Sequence, residues 1–224
     1  MLNLIIAEAA LETVPKPLWK SPSVIGQARC RGKKPGDLLL DRSYHHAAML
    51  KMKDHQKRGR PDIIHLALLE VTSTPLFFEN HLKVWVHTFD NKVIRIGEYV
   101  RLPKSYFRFE GLMEQLFRDR VVISNGQRLL ELFDMDFISL LKIIKPSQII
   151  GLSRFGSPSN FQDIAGELAK TERPVVVVGG FPHGHFSKAT NDYLTTIASV
   201  SSHPLEANVV LSRIIYEYEK LISK

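Results

Sequence analysis

The chain has 224 residues, 44% hydrophobic and 24% charged, enough to bury one full core, which excludes a disordered or fibrous protein. No apolar run approaches the ~18 residues of a membrane span, and no basic leader opens the chain. Cys30 is the only cysteine, so a disulfide framework and a thiolate metal cage are excluded and a reducing, cytoplasmic setting is expected.

Met1 to Glu8 reads as an apolar strand. Pro15-Lys16-Pro17 and Ser21-Pro22-Ser23 cannot lie inside a helix, so Pro15 to Ser23 is expected to be extended, with Trp19 as an anchor. Cys30 is expected to be at least half-buried. The net charge of +7 is local: ten basic residues between Arg29 and Arg60 face only Asp37, Asp41 and Asp54. One segment therefore carries the whole excess, the expected footprint of a polyanion such as nucleic acid. Within it, Gly32 to Gly36 is a basic turn. Asp41 caps a helix running to about Lys53, with Tyr44, Ala47, Ala48 and Leu50 to Met52 on its inner face. His45 and His46 have no carboxylate or cysteine at ligand spacing, so no metal is expected. A second basic turn, Lys57 to Pro61, leads into a helix over Ile63 to Val71, with Arg60 extended before the proline and Asp62 in the N-cap place.

Leu82 to Thr88 alternates as a strand, and Asp90-Asn91-Lys92 turns it into Val93 to Ile96. A β-ribbon around 89–103 is expected as an insertion in a single domain. Arg101 to Arg108 holds three cations and two aromatic residues with no acid between them. Such a segment suits unpaired RNA, the cations on phosphates and Tyr106 or Phe107 stacked on a base. The plain alternative buries Phe107 and leaves the cations merely solvated. Helical spacing covers Phe109 to Phe117 and resumes over Leu129 to Lys142.

The last third holds three strand ends that open onto small residues: Ser147 to Ser153, Arg173 to Gly180 with its four valines and two glycines, and Thr196 to Leu205. A helix over Ser159 to Ala169, capped by Ser159, supplies the crossover between the first two. The last runs into a C-terminal helix with Pro204 at an early position and a stripe from Leu205 to Leu221 wide enough for core and partner alike. The fold class is α/β, a mostly parallel sheet flanked by helices, in which a ligand sits outside the carboxyl ends of the strands. That places a pocket at Gly151, Gly179, Gly180 and the Ser199 to Leu205 turn. Ser187 has no neighbouring P-loop lysine and the glycines miss dinucleotide spacing. Main-chain amides and apolar side chains suit an adenosine-type ligand of little negative charge, such as S-adenosylmethionine. A tight strand-to-helix turn at Gly179-Gly180 is the plain alternative.

Four stretches, Arg58 to His65, Arg101 to Met113, Val178 to Gly184 and Ser199 to Leu205, occur in the order found in the ribosome-assembly pseudouridine N1-methyltransferases. Over nearly its whole length the chain resembles these members of the SPOUT superfamily, of the archaeal type without an N-terminal extension. The resemblance implies a C-terminal trefoil knot, a homodimer, S-adenosyl-L-methionine as cofactor, and methylation of N1 of a pseudouridine in small-subunit rRNA during ribosome biogenesis. It places RNA contacts on Arg60, Arg101, Lys104 and Arg108. Cofactor contacts fall on Leu152, Ser153, Gly179, Gly180, Phe181, Gly184, Ser199, Val200, Ser202 and Leu205. Lys104 departs from the arginine common in the family and lacks its bidentate fork. Asp62, beside Arg60, is the candidate to accept or orient the N1–H; a cap or an ion-pair partner of Arg60 is its structural alternative. A different class stays open: an RNA-binding assembly factor whose main act is folding rRNA.

Overall fold

The computed structural model describes residues 1–222. Its first strand, β1 (Leu2–Ala9), is buried at every position, as a strand covered on both faces must be. After it come α1 (Pro22–Arg31), α2 (Arg42–Met49), α3 (Pro61–Val71), α4 (Pro75–Phe78), β2 (Leu82–Thr88), β3 (Lys92–Ile96) and α5 (Tyr106–Asp119). The rest is β4 (Val121–Ser124), β5 (Gln127–Asp134), α6 (Phe137–Ile144), β6 (Gln148–Pro158), α7 (Phe161–Ala169), β7 (Pro174–Gly179), α8 (Lys188–Asn191), β8 (Thr196–Ser199) and α9 (Ala207–Ile222). One eight-stranded sheet has the order β4-β5-β3-β2-β1-β7-β6-β8. Its β2-β1-β7-β6-β8 half is parallel, and β3, β5 and β4 extend it antiparallel.

Side chains alternate across a strand, and this divides the core. Leu4, Ile6, Val176 and Val178 share one cluster with residues of α3, α5, α7 and α9. Ile5, Ala7, Val175 and Val177 pack on the other side with Phe137, Leu140 and Leu141 of α6. The C-terminal stripe is narrower than expected. Val210, Leu211, Ile214, Ile215 and Tyr218 are buried within the chain's own core, whereas Leu221 is exposed.

Several local expectations are corrected. Residues 16–18 form a 3-10 turn and Pro22 opens α1 at a first-turn position, where its missing N–H costs nothing. Trp19 is still anchored, its indole N–H donating to the Val14 carbonyl at 2.8 Å. Cys30 is exposed. Asp41 does cap α2, accepting from the Ser43 amide at 2.7 Å, but the helix ends at Met49 and turns His45 and Met49 inward while Tyr44 and Leu50 face solvent. Residues 127–134 are a strand rather than a helix, because the Asn125-Gly126 turn, both residues at positive φ, folds β5 back on β4. Asn160, not Ser159, caps α7, and Pro204 lies in the loop before α9.

Candidate active site

The carboxyl ends of β6 and β7, the loop 180–187 and the segment 199–207 enclose a cleft of about 500 Å³. Of the residues expected to hold a cofactor, Leu152, Ser153, Gly179, Phe181, Gly184, Val200 and Leu205 line it. Gly180, Ser199 and Ser202 stand off the wall, as does Gly151. A Cβ on Gly180 would come within 2.8 Å of Ile6 and Ile64, and its amide donates to Ala7 while its carbonyl accepts from Ala10, both at 2.8 Å. This glycine therefore knits β7 to the end of β1. Ser199 is used in the same way, its carbonyl accepting from the Ser159 amide at 2.8 Å. Ser202 is exposed, and Gly151 is packed against Leu194 inside the sheet.

The cleft also borrows Ile63 from the first turn of α3 and Val210 from α9. Neither was singled out in the sequence, because both read as ordinary core positions. The wall combines apolar side chains such as Ile63, Leu152, Phe181 and Leu205 with Gly179 and Gly184, and Arg154 is the only lysine or arginine among the described lining residues. Such a lining has the chemistry for a nucleoside bearing little charge, since a phosphate-rich ligand would require more cations than this one arginine. Among the described residues no group of three or more His, Cys, Asp or Glu is placed to hold a metal. No described helix is long and apolar enough to cross a membrane.

Behind the 180–187 loop lies a second cavity, of about 610 Å³, lined by Glu8, Lys57 and His87 among others. The register of β1 against β2 shifts between Ile6 and Ala9, where Glu8 takes a φ of 52° and turns its buried carboxylate toward the loop. Burial pushes the Glu8 carboxyl up. Hydrogen bonds from Lys57, Ser187 and Thr190 more than offset this and hold it below the usual range.

Arg60 is the N-cap of α3, and Asp62 occupies its first turn rather than the cap. The two form a bidentate pair at 2.8 and 2.7 Å, with both side chains more than a third exposed. Two hydrogen bonds tie this pair to the cleft: Ala10 donates to the Gly180 carbonyl and accepts from the Arg60 amide at 3.0 Å. The stretch 101–108 packs against the same helix, where His65 stacks on Phe109 and its Nε2 meets the Pro103 carbonyl at 2.7 Å.

Charge is distributed differently from the sequence expectation. Five of the ten cations between Arg29 and Arg60 are paired with acids: Arg31 and Lys33 with Glu110 or Glu114, Lys57 with Glu8, Arg58 with Glu12, and Arg60 with Asp62. Arg101, Lys104 and Arg108 are exposed and enter no ion pair among the described residues. Tyr106 is committed elsewhere, its hydroxyl donating to Asp41. Phe107 is 64% exposed, with the Arg31 guanidinium 4.7 Å from its ring centroid.

A model of the EMG1/NEP1 methyltransferase family matches residues 4–219. The chain is 41% identical over 222 residues to the ribosomal RNA small subunit methyltransferase Nep1 of Thermococcus kodakarensis, covering 98% of each. It is 39% identical over 221 residues to the protein of the same name from Staphylothermus marinus, covering 98% of this chain and 96% of that one. Among solved structures, it superposes on the crystal structure of Archaeoglobus fulgidus Nep1 bound to S-adenosylhomocysteine with a TM-score of 0.88, at 32% identity over 99% of both chains. The fold is thus of the α/β SPOUT type. With a matched model spanning nearly every element and full-length relatives near 40% identity, the chain belongs to the EMG1/NEP1 methyltransferase family.

Proposed function

We propose that this chain is an S-adenosylmethionine-dependent methyltransferase of small-subunit rRNA whose target is N1 of a pseudouridine. The observation that carries the reading is the short path from cleft to cationic surface: Gly180, Ala10 and Arg60 are consecutive partners in two main-chain hydrogen bonds. One nucleotide can then reach both.

Bound in the cleft, S-adenosylmethionine supplies an electrophilic methyl group. The chain's own residues do the rest. The amides and side chains at Leu152, Ser153, Gly179, Phe181, Gly184, Val200 and Leu205 hold the nucleoside; Gly180, Ser199 and Ser202 act behind or beside that wall. Arg60, Arg101, Lys104 and Arg108 neutralise phosphates flanking the target, and a base flips out of its stack to present N1. Pseudouridine N1 is an imide-like N–H and a poor nucleophile until its proton leaves. Asp62 accepts or orients that proton when Arg60 turns from it to a phosphate.

The working unit is a homodimer, a reading supported by large apolar side chains left exposed on α3, α4 and α9, namely Leu66, Phe78 and Tyr216, which a second copy could remove from water. The function is tested by methyl transfer to matched RNA hairpins that differ only in carrying uridine or pseudouridine. Transfer to pseudouridine alone is expected; equal transfer to both, or none with cofactor bound, overturns the assignment. In the second case the RNA-binding assembly factor becomes the better account.

A further inference from the structure

We infer that Lys57 is a positioning residue that clamps the 181–187 loop and thereby sets the affinity of the cleft for its nucleoside cofactor. The inference rests on the cofactor reading above and assigns a role to a cation that the sequence groups with the RNA-binding ones.

Lys57 ends the 3-10 turn at His55–Lys57, and its side chain is only 17% exposed. Its ammonium sits 2.9 Å from Glu8 Oε2, donates to the His185 carbonyl and lies 4.3 Å from the centroid of the Phe181 ring. The other oxygen of the same carboxylate, Glu8 Oε1, accepts the Ser187 amide at 2.6 Å. One ion pair thus fastens the loop at Phe181, His185 and Ser187. Gly184 completes the fit: at a φ of +95° it has a backbone that other residues rarely adopt, and a Cβ there would stand 3.2 Å from Lys57 Cε.

The loop has two faces. Phe181, Gly184 and His185 line the cofactor cleft, whereas Lys57 and Glu8 belong to the cavity behind it, so the clamp acts without touching the ligand. Its foundation is firm, because the next residue, Arg58, holds Glu12 near the end of β1 with bonds of 2.7 and 2.5 Å. A mobile loop would have to be ordered each time a ligand bound. A clamped one presents its amides already in place, so the ordering cost is removed from binding.

The test uses the full chain, calorimetry with S-adenosylhomocysteine, steady-state kinetics and amide hydrogen exchange. Lys57→Met is expected to weaken binding at least tenfold and raise KM for S-adenosylmethionine while kcat changes less than threefold. Exchange should speed up at the amides of 181–187 but not in β7. Lys57→Arg should restore most of the affinity, since a guanidinium can still span Glu8 and the His185 carbonyl. Lys57→Met combined with Glu8→Gln should bind no more weakly than Lys57→Met alone, because the two groups act as one unit. Binding within twofold of the parent, or faster exchange throughout the sheet, overturns the inference. Should the parent chain itself bind no S-adenosylhomocysteine, the cofactor reading fails. Exchange confined to the loop would then still uphold the clamp, and unchanged loop exchange would overturn it.

Discussion

Asp62 and Phe107 show how much one side chain's surroundings narrow its role. An ion pair as exposed as Arg60–Asp62 contributes about 0–1 kcal/mol to stability, so Asp62→Asn should hardly move Tm. If the carboxylate takes the N1 proton, the same change lowers methyl transfer by about 10²–10⁴ with S-adenosylhomocysteine affinity intact. Transfer within threefold of the parent assigns Asp62 to the ion pair alone. Phe107 is a large apolar ring left in water, near in sequence to three cations that enter no ion pair among the described residues, and resting on a guanidinium that Glu110 fixes at 2.9 Å. An open ring held in place is a platform for a base. Phe107→Ala should weaken single-stranded RNA by about 1–3 kcal/mol, roughly 5- to 150-fold, without lowering Tm. Tyr106 is less free to serve in its stead: it is half-buried against the core, its hydroxyl is bonded to Asp41, and burial, then that bond, raises the hydroxyl pKa far above that of a free phenol.

Among the elements, β6 and β8 are held at a close crossing. Their register breaks between Leu152 and Ser157, and both of these residues pair with Ala198, so β6 leaves β8 and returns to it. Gly156 makes the crossing possible. A Cβ there would stand 2.5 Å from the Ile197 carbonyl carbon and 2.7 Å from that of Ala198. Those are backbone atoms of a paired strand, with no rotamer through which to move away. Gly156→Ala is therefore expected to cost about 1–3 kcal/mol, at about 2–4 °C of Tm per kcal/mol for a chain of this size, read by thermal melting. An unchanged melting temperature would mean that β6 and β8 can part at the crossing and that Gly156 is not required there. The same logic separates Gly180 from Gly179. The former is closed in by Ile6, Ile64 and the backbone of Ala9, whereas the nearest atoms to a Cβ on the latter all belong to the side chain of Phe181.

At the scale of the whole molecule, electrostatics divides into a spent part and an available part. Four cations of the basic segment, Arg31, Lys33, Lys57 and Arg58, neutralise buried acids of the chain itself, whereas the proposed phosphate contacts are the exposed Arg101, Lys104 and Arg108 together with Arg60, whose exposed pair with Asp62 can open. Four contacts on single-stranded RNA predict a slope of log K against log salt of about −3, and Arg108→Ala should make it shallower by about 0.7. A flat dependence would remove the cationic surface from the account.

The sequence by itself determined the parallel sheet, the strand ends that meet at the cleft and the family. A short run of β-branched residues between Pro174 and Gly179, such as Val175 to Val178, reads as a buried parallel strand, and four separated motifs in one order leave little room for coincidence. It misjudged the strand at 127–134, where leucines at 129, 130 and 132 satisfy helical and alternating patterns equally; only pairing with β3 and β4 decides between them. Only the tertiary structure decided that Gly180 is a joint between β7 and the end of β1, that Lys57 faces inward to Glu8, and that Phe107 faces out. Each of these depends on a partner more than 45 residues away in the chain or on a crossing of two strands. Local spacing carries no record of such partners, because the energy of a buried charge or a close backbone approach exists only once the fold has brought them together.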